Sequence, residues 1–238
     1  MERIKIAALG DSITKGVVLT EEANYELLNN SFVEILKSEG GFQVENFGKF
    51  GCTITNGHNI INHHAEEIAA AEYTLLEYGG NDCDFNWKRI ALDPAAGHNP
   101  KTPLKEFCDL FVSLIERVKS LNSKPIILSL PPIDSTHYFG FFSRRMSTEQ
   151  RANIVGWMGD VEAIERWHTS YNKALFEVAE RTSTPILDIT TPFIRSSADP
   201  CELVCPDGIH PNAAGHRLIA NTILSTAPFC NRRDIQLA

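Results

Sequence analysis

Short, almost wholly apolar runs alternate along the chain with longer stretches in which apolar residues recur every three or four positions. The first run, Ile4-Lys5-Ile6-Ala7-Ala8-Leu9, stops at Gly10, where the sequence becomes small and polar: Asp11-Ser12-Ile13-Thr14-Lys15-Gly16. A run of this kind reads as a strand buried on both faces, as in a parallel sheet. Four further runs have the same character: Phe42 to Phe47, Tyr73 to Tyr78, Pro125 to Leu130 and Pro185 to Ile189. Helical spacing predicts helices over about 25–38 (Tyr25, Leu28, Phe32, Ile35, Leu36), 58–71, 104–121 (Leu104, Phe107, Leu110, Phe111, Leu114, Ile115, Val118), 160–181 and 212–226. Gly40-Gly41 closes the first of these. Five strands alternating with five helices predict an α/β fold: a parallel sheet with right-handed crossovers and helices on both faces. Residues 83–102 and 131–158 read as two irregular insertions, and no linker or repeat divides the chain, so 1–238 reads as one domain.

In open parallel sheets, ligands are handled just beyond the carboxyl ends of the strands. A Ser in a Gly-flanked loop is by itself an ordinary turn residue, and so is an Asn after a strand. Here the predicted strand ends converge on one rim. The first delivers Ser12, the second leads through Asn46-Phe47-Gly48-Lys49-Phe50 to Gly51, and the third leads through Gly79-Gly80 to Asn81-Asp82. The segment after the fifth carries Asp207-Gly208-Ile209-His210-Pro211, just ahead of a helix that Pro211 can open. Asp207 and His210 lie within one turn of each other, so Asp207 can accept from His210 Nδ1 and leave Nε2 free to take the proton of Ser12. In a 2-1-3-4-5 strand order that segment must cross about 15 Å at ~4.8 Å per strand, well within reach of its loop. The backbone N–H of Ser12, the backbone N–H of Gly51 and the side-chain amide of Asn81 are available as donors to an oxyanion. Asp11 reads as a brace for the loop.

These segments resemble, in order and spacing, the four sequence blocks of the SGNH (GDSL-type) hydrolases: Gly10-Asp11-Ser12-Ile13-Thr14, Asn46-x-Gly48-x-x-Gly51, Gly79-Gly80-Asn81-Asp82 and Asp207-x-x-His210-Pro211. The resemblance spans residues 4 to about 225. It implies a flavodoxin-like three-layer α/β/α sandwich with a five-stranded parallel sheet. It implies cofactor-independent hydrolysis of small carboxylic esters, short-chain acyl or acetyl esters and those of sugars among them, through an acyl-enzyme. It assigns Ser12 as nucleophile, His210 as base, Asp207 as its orienting acid, and Ser12, Gly51 and Asn81 as the oxyanion hole. The first block ends in Ile where the family commonly has Leu, a packing position. The Gly-x-Ser-x-Gly elbow of the α/β-hydrolases is absent, because position 14 is Thr. Two alternatives stand beside hydrolysis. One is acyl transfer to an alcohol by the same triad. The other is a non-catalytic module whose Ser12-Ile13-Thr14 loop cradles a phosphate, which leaves Asp207 and His210 unexplained.

Composition narrows the partners. The 238 residues carry a net charge of −8 and a pI of about 5.5, with no basic cluster suited to nucleic acid or an anionic membrane. No apolar run approaches the ~20 residues of a membrane span, and the N-terminal run is too short for a signal peptide. The six cysteines (52, 83, 108, 201, 205 and 230) form no CxxC pair, so reduced thiols in a cytoplasmic protein are expected. Cys52, Cys83 and Cys205 flank the blocks and read as small semi-buried residues, a redox-sensitive pair being the alternative. His58, His63 and His64 fall in a predicted helix without an acidic partner, so no metal site is expected. The second insertion holds His137, Tyr138, Phe139, Phe141, Phe142, Arg144, Arg145 and Trp157. Such aromatic density either covers an acyl pocket or packs on the fold or on another subunit.

Overall fold

In the computed structural model, which describes residues 3–196 and 202–230, the first strand, β1 (Lys5–Gly10), lies inside a five-stranded sheet. A short hairpin follows, β2 (Val17–Leu19) and β3 (Tyr25–Leu27), and then β4 (Gln43–Asn46), β5 (Tyr73–Glu77), β6 (Lys124–Leu128) and β7 (Ile186–Leu187). The sheet order is β4-β1-β5-β6-β7, every pairing parallel, which is the predicted 2-1-3-4-5 arrangement. The helices are α1 (Ser12–Lys15), α2 (Phe32–Ser38), α3 (Ile54–His63), α4 (Ala65–Ala69), α5 (Trp87–Leu92) and α6 (Leu104–Ser120), then α7 (Ser135–Ser143), α8 (Thr148–Met158), α9 (Ala163–Thr182), α10 (Thr190–Ser196) and α11 (Ala213–Leu224).

Alternation along β1 sorts the core into two layers. Ala7 and Leu9 point into the cluster formed with Phe107, Phe111 and Leu114 of α6 and Tyr171, Leu175 and Val178 of α9. Ile6 and Ala8 point the other way, into Phe32, Val33 and Leu36 of α2 and Ile219, Ala220 and Ile223 of α11. Each large side chain fully buried in this way contributes about 1.5–3 kcal/mol. A third cluster stands apart from the sheet: Phe85, Trp87 and Ile90 pack on Phe139, Ile154, Met158 and Ile164, which joins the two insertions to the start of α9. Among the described residues no helix is long and apolar enough to cross a membrane.

The departures from expectation are local. Residues 25–38 are not one helix: Tyr25–Leu27 pairs antiparallel with Val17–Leu19, and α2 starts only at Phe32, where Ser31 accepts the N–H of Glu34. The Ser31-x-x-Glu34 start signal overrides the apolar spacing upstream of it. The predicted 58–71 helix begins earlier, at Ile54 behind a Thr53/Asn56 capping box, and breaks at His64 into α3 and α4. The two insertions are not irregular. They fold into α5, α7 and α8, capped by Asn86, Asp134 and Ser147 respectively.

His216 ties the second layer together. Its Nδ1 accepts the N–H of Phe32 at 3.3 Å, a donor the first turn of α2 cannot satisfy itself, and its ring stacks on Phe32. Burial, with a contribution from the charge of His210, pushes His216 down to about 4, and burial alone does the same to His168. Both rings are neutral in the fold, whereas in the unfolded chain they protonate near 6.5. The unfolded chain therefore binds protons first as pH falls, and stability declines from pH 6.5 toward 4. Urea midpoints measured at pH 7 and pH 5 will fall less for His216→Asn, which keeps an acceptor near the Nδ1 position, than for the wild type. An equal fall in both would show that the ring is not held neutral.

Candidate active site

Ser12 opens α1, directly beyond the end of β1. Asp11 fixes it from both sides: one carboxylate oxygen accepts the N–H of Ile13 at 2.8 Å and the other accepts the amide of Asn81 at 2.8 Å. The single helical turn ends at Gly16 with φ +85°, where a side chain would collide with Ser31. On the other flank Asn46 donates to the carbonyl of Thr14 at 2.8 Å and accepts the N–H of Gly48 at 2.9 Å. Gly48 packs so closely on Lys15 that a Cβ would lie 2.4 Å from its backbone nitrogen. The second block is thereby fastened to the first, and Gly51 follows with φ +69° and open space around it.

Asp207 and His210 come from a tight turn that presses on the start of α7. Gly208 has φ +78°, and a Cβ there would fall 2.4 Å from the Asp134 carbonyl. His210 Nδ1 lies 2.6 Å from Asp207 Oδ2, and His210 Nε2 lies 2.9 Å from Ser12 Oγ. Asp207 Oδ1 accepts the backbone N–H groups of Ile209 and His210 at 3.2 Å each. The Asp207 side chain is wholly buried. Burial opposes its charge, but the His210 hydrogen bond and charge and the two backbone donors outweigh it, so its carboxyl is held below the ordinary value. A carboxylate accepting at Nδ1 fixes the proton there and leaves Nε2 as the acceptor facing Ser12. Ser12, Gly51, Asn81 and His210 all line one cavity. Asn81 has two amide hydrogens, of which Asp11 takes one.

Beneath Asp11 lies a second carboxyl that the sequence reading passed over. Glu77 ends β5, paired in register with Gly10, and is fully buried. It accepts Thr14 Oγ1 at 3.0 Å and the N–H of Asp11 at 3.4 Å. Burial and the neighbouring Asp11 charge hold Glu77 well above its ordinary value. Asp11 has the better donors, the N–H of Ile13 and the amide of Asn81, so the shared proton resides on Glu77. The signal was a Glu within the otherwise uncharged stretch Tyr73-Thr74-Leu75-Leu76-Glu77-Tyr78. Asp82, the last residue of the third block, turns away from the cavity chemistry. It accepts the N–H of Ile54 at 3.1 Å and the hydroxyl of Thr102 at 2.7 Å and so seats α3.

The cavity measures about 320 Å³ and is walled mainly by rings and aliphatic side chains. Two of them cover His210: the exposed ring of Phe50 stacks on it at 6.0 Å and Tyr25, from the hairpin, meets it edge-on at 5.3 Å. The second insertion divides its aromatic residues between two tasks. Tyr138, Phe141 and Phe142 line the cavity, while Phe139 and Trp157 pack in the third cluster behind it. Trp87, Trp167 and His168 also reach the cavity. None of these distant wall residues carries a local motif that marks it as one.

The remaining candidates separate. His58 pairs with the Leu110 carbonyl, His63 with the Asn59 carbonyl and His64 with Glu67. Among the described residues no group of three or more His, Cys, Asp or Glu is arranged to hold a metal. Cys52, Cys83, Cys108 and Cys205 are unpaired thiols, and Cys201 lies outside the described residues. Burial pushes Cys52 up to about 12 and Cys205 up to about 11, so neither is a ready thiolate. The phosphate-cradle alternative meets a physical objection: the Ile13 N–H that would face an anion is already taken by the Asp11 carboxylate.

The GDSL-like lipase/acylhydrolase family model matches residues 8–218. The chain belongs to this family. With it, the chain is a carboxylic ester hydrolase. No curated protein matches the sequence. Several solved structures share the fold. A lipase/acylhydrolase from Enterococcus faecalis superposes with a TM-score of 0.64 at 18% identity over 93% of each chain. An α/β hydrolase enzyme from the metagenome of Lake Arreo, Spain, gives 0.64 at 21% identity, covering 93% of this chain and 94% of the other. An acetylxylan esterase from Geobacillus stearothermophilus gives 0.59 at 22% identity, covering 93% of this chain and 92% of the other.

The Glu77 proton has a measurable signature. An acid whose value is raised in the fold loses its proton first in the unfolded chain, so the stability it lends is full below about 4.5 and declines as pH rises toward its folded value. Glu77→Gln, which keeps a donor toward Asp11 and has no proton to lose, will show a shallower decline in urea midpoint from pH 5 upward than the wild type. Parallel declines would place the proton elsewhere.

Proposed function

We propose that this GDSL-like acylhydrolase cleaves small carboxylic esters through an acyl-enzyme on Ser12. The observation that carries the reading is the unbroken line from Asp207 Oδ2 to His210 Nδ1 at 2.6 Å and from His210 Nε2 to Ser12 Oγ at 2.9 Å. His210 Nε2 takes the Ser12 hydroxyl proton as Oγ adds to the ester carbonyl, and Asp207 stabilises the imidazolium that forms. The carbonyl oxygen becomes an oxyanion held by the N–H of Ser12, the N–H of Gly51 and the second amide hydrogen of Asn81. His210 then protonates the leaving alcohol as the C–O bond breaks. Water, deprotonated by His210, adds to the acyl carbon and returns Ser12 with a free acid.

The chain works in this reading as one domain, its two insertions building the substrate cavity. The substrates are small-molecule esters with short acyl groups, acetylated sugars among them, in keeping with the acetylxylan esterase of like fold. No step calls for a metal or cofactor. The unpaired thiols of Cys52, Cys83 and Cys205, all buried, fit a reducing, cytoplasmic setting.

Ser12→Ala should lower p-nitrophenyl acetate hydrolysis by about 10³-fold or more while near-UV circular dichroism stays unchanged. A fluorophosphonate should label the wild type at Ser12, read by peptide mass. Hydrolysis by Ser12→Ala at the wild-type rate would refute the assignment. Product analysis with added alcohols separates hydrolysis from acyl transfer.

A further inference from the structure

The cavity is far larger than an acetyl group requires; its ~320 Å³ sits at the lower end of the range of ligand pockets. Its direction follows from the layers. His210 arrives in the turn that precedes α11, and α11 belongs to the core layer behind one face of the sheet. The cavity extends the other way along the rim, from Ser12 past Asn81 to Leu130 at the end of β6 and on to α9, and α9 packs on the opposite face. Asn172 of α9 accepts the N–H of Leu130 at 2.8 Å, which pins the helix to the end of β6. His168 is one turn nearer the helix start on the same side. The leaving alcohol must lie beside His210, which protonates it, so the far arm of the cavity receives the acyl group.

Along that arm the polar groups are nearly all spoken for. Asp84 holds Trp87 Nε1 at 2.8 Å, the Tyr138 hydroxyl at 3.0 Å and Lys101 at 2.8 Å. Among the buried polar side chains that line the cavity, Asp11, Ser12 and His210 are bonded within the site. His168 is the exception. It is 7% exposed, lines the cavity, and has no hydrogen-bond partner among the described residues. With no protein group bonded to it among the described residues, the ring is free to bond to whatever occupies the cavity.

We propose that His168 is a specificity determinant, and that beyond short acyl groups the cavity accepts, and favours, a medium-length apolar chain carrying one neutral hydrogen-bonding group, an oxo or hydroxyl function, that reaches the His168 ring. This rests on the Ser12 acyl-enzyme reading. His168 is neutral across the working range because burial pushes it to about 4, so it serves a neutral group rather than a carboxylate. A site built to bond a polar group rejects the analogue that lacks it, because its own polar atom is then left unanswered.

The test compares p-nitrophenyl esters of pentanoic to octanoic acid with their counterparts bearing an oxo group at the penultimate carbon. In the wild type one chain length should favour the oxo ester by about tenfold in kcat/KM. His168→Leu should abolish that ratio, and His168→Gln, which keeps a donor, should retain much of it. Equal rates for oxo and plain esters at every length, a ratio that survives His168→Leu, or a preference appearing only when the oxo group sits on the alcohol part would each overturn the proposal. Ser12→Ala on the same esters separates the two readings: if it still hydrolyses them, the triad assignment fails, whereas a flat wild-type series with an inactive Ser12→Ala removes only the role of His168.

Discussion

The register of β1 between β4 and β5 is the constraint on which the site depends. Ala8 lies level with Asn46, and Gly10 lies level with Glu77. Because the strands are parallel, their chains leave the sheet on the same edge, and the residues that follow meet without any long reach. Asp11 then touches Asn81 from the next strand, and Asn46 holds Thr14 from the other. A slip of one residue would turn every side chain of β1 to the opposite layer, put Leu9 where Ala8 now packs, and carry Ser12 out of line with His210. Burial of β1 on both faces is therefore what sets the position of Ser12, more than any bond that Ser12 itself makes.

That arrangement gathers acids in a dry place. Asp11, Glu77, Asp82 and Asp207 are all buried near the rim. Like charges in a poorly screened interior repel strongly, and each carboxyl is managed differently. Asp207 faces His210. Asp11 receives an N–H and an amide. Asp82 receives Ile54 and Thr102 and is still pushed up to about 6, burial being the larger influence. Glu77, with the poorest donors, keeps its proton. In the proposed mechanism negative charge develops between the Ser12 N–H and Asn81, immediately above this group. A second ionised carboxyl there would oppose the oxyanion, so a neutral Glu77 serves both the fold and the reaction.

How far the sequence spoke depended on whether a signal was local. The five strands showed because burial on both faces leaves a continuous apolar run, and the four blocks showed because each is a strand end with its own turn chemistry. The hairpin did not show. Tyr25, Leu28 and Phe32 fit a helical spacing by coincidence, since Tyr25 is exposed and lines the cavity, and Leu27 beside it is exposed as well, so neither packs in the core. The helices of the insertions were also hidden. Their caps at Asn86, Asp134 and Ser147 are ordinary start signals, but α7 is covered on one side by the cavity and on another by the third cluster, so its apolar residues do not gather on a single stripe. The cavity wall was least legible of all, because Phe50, Trp87, Phe142 and His168 meet only in three dimensions.

That wall has a consequence for how the enzyme chooses. Trp87 stacks on Phe142 at 4.8 Å with ring planes 10° apart, and Phe85 wedges against Trp157 and Trp167. Aromatic side chains have few rotamers and large contact areas, so rings packed on rings hold their shape. The aromatic wall residues Trp87, Tyr138, Phe142 and Trp167 are supported from behind by the third cluster rather than by the sheet, which frees them from the constraints that fix Ser12, Asn81 and His210. The cavity is therefore largely formed before an ester enters, and little of the binding free energy is lost in ordering it. Changes in the insertions can alter the acyl group accepted without disturbing the register of β1, and changes in the sheet cannot alter one without the other.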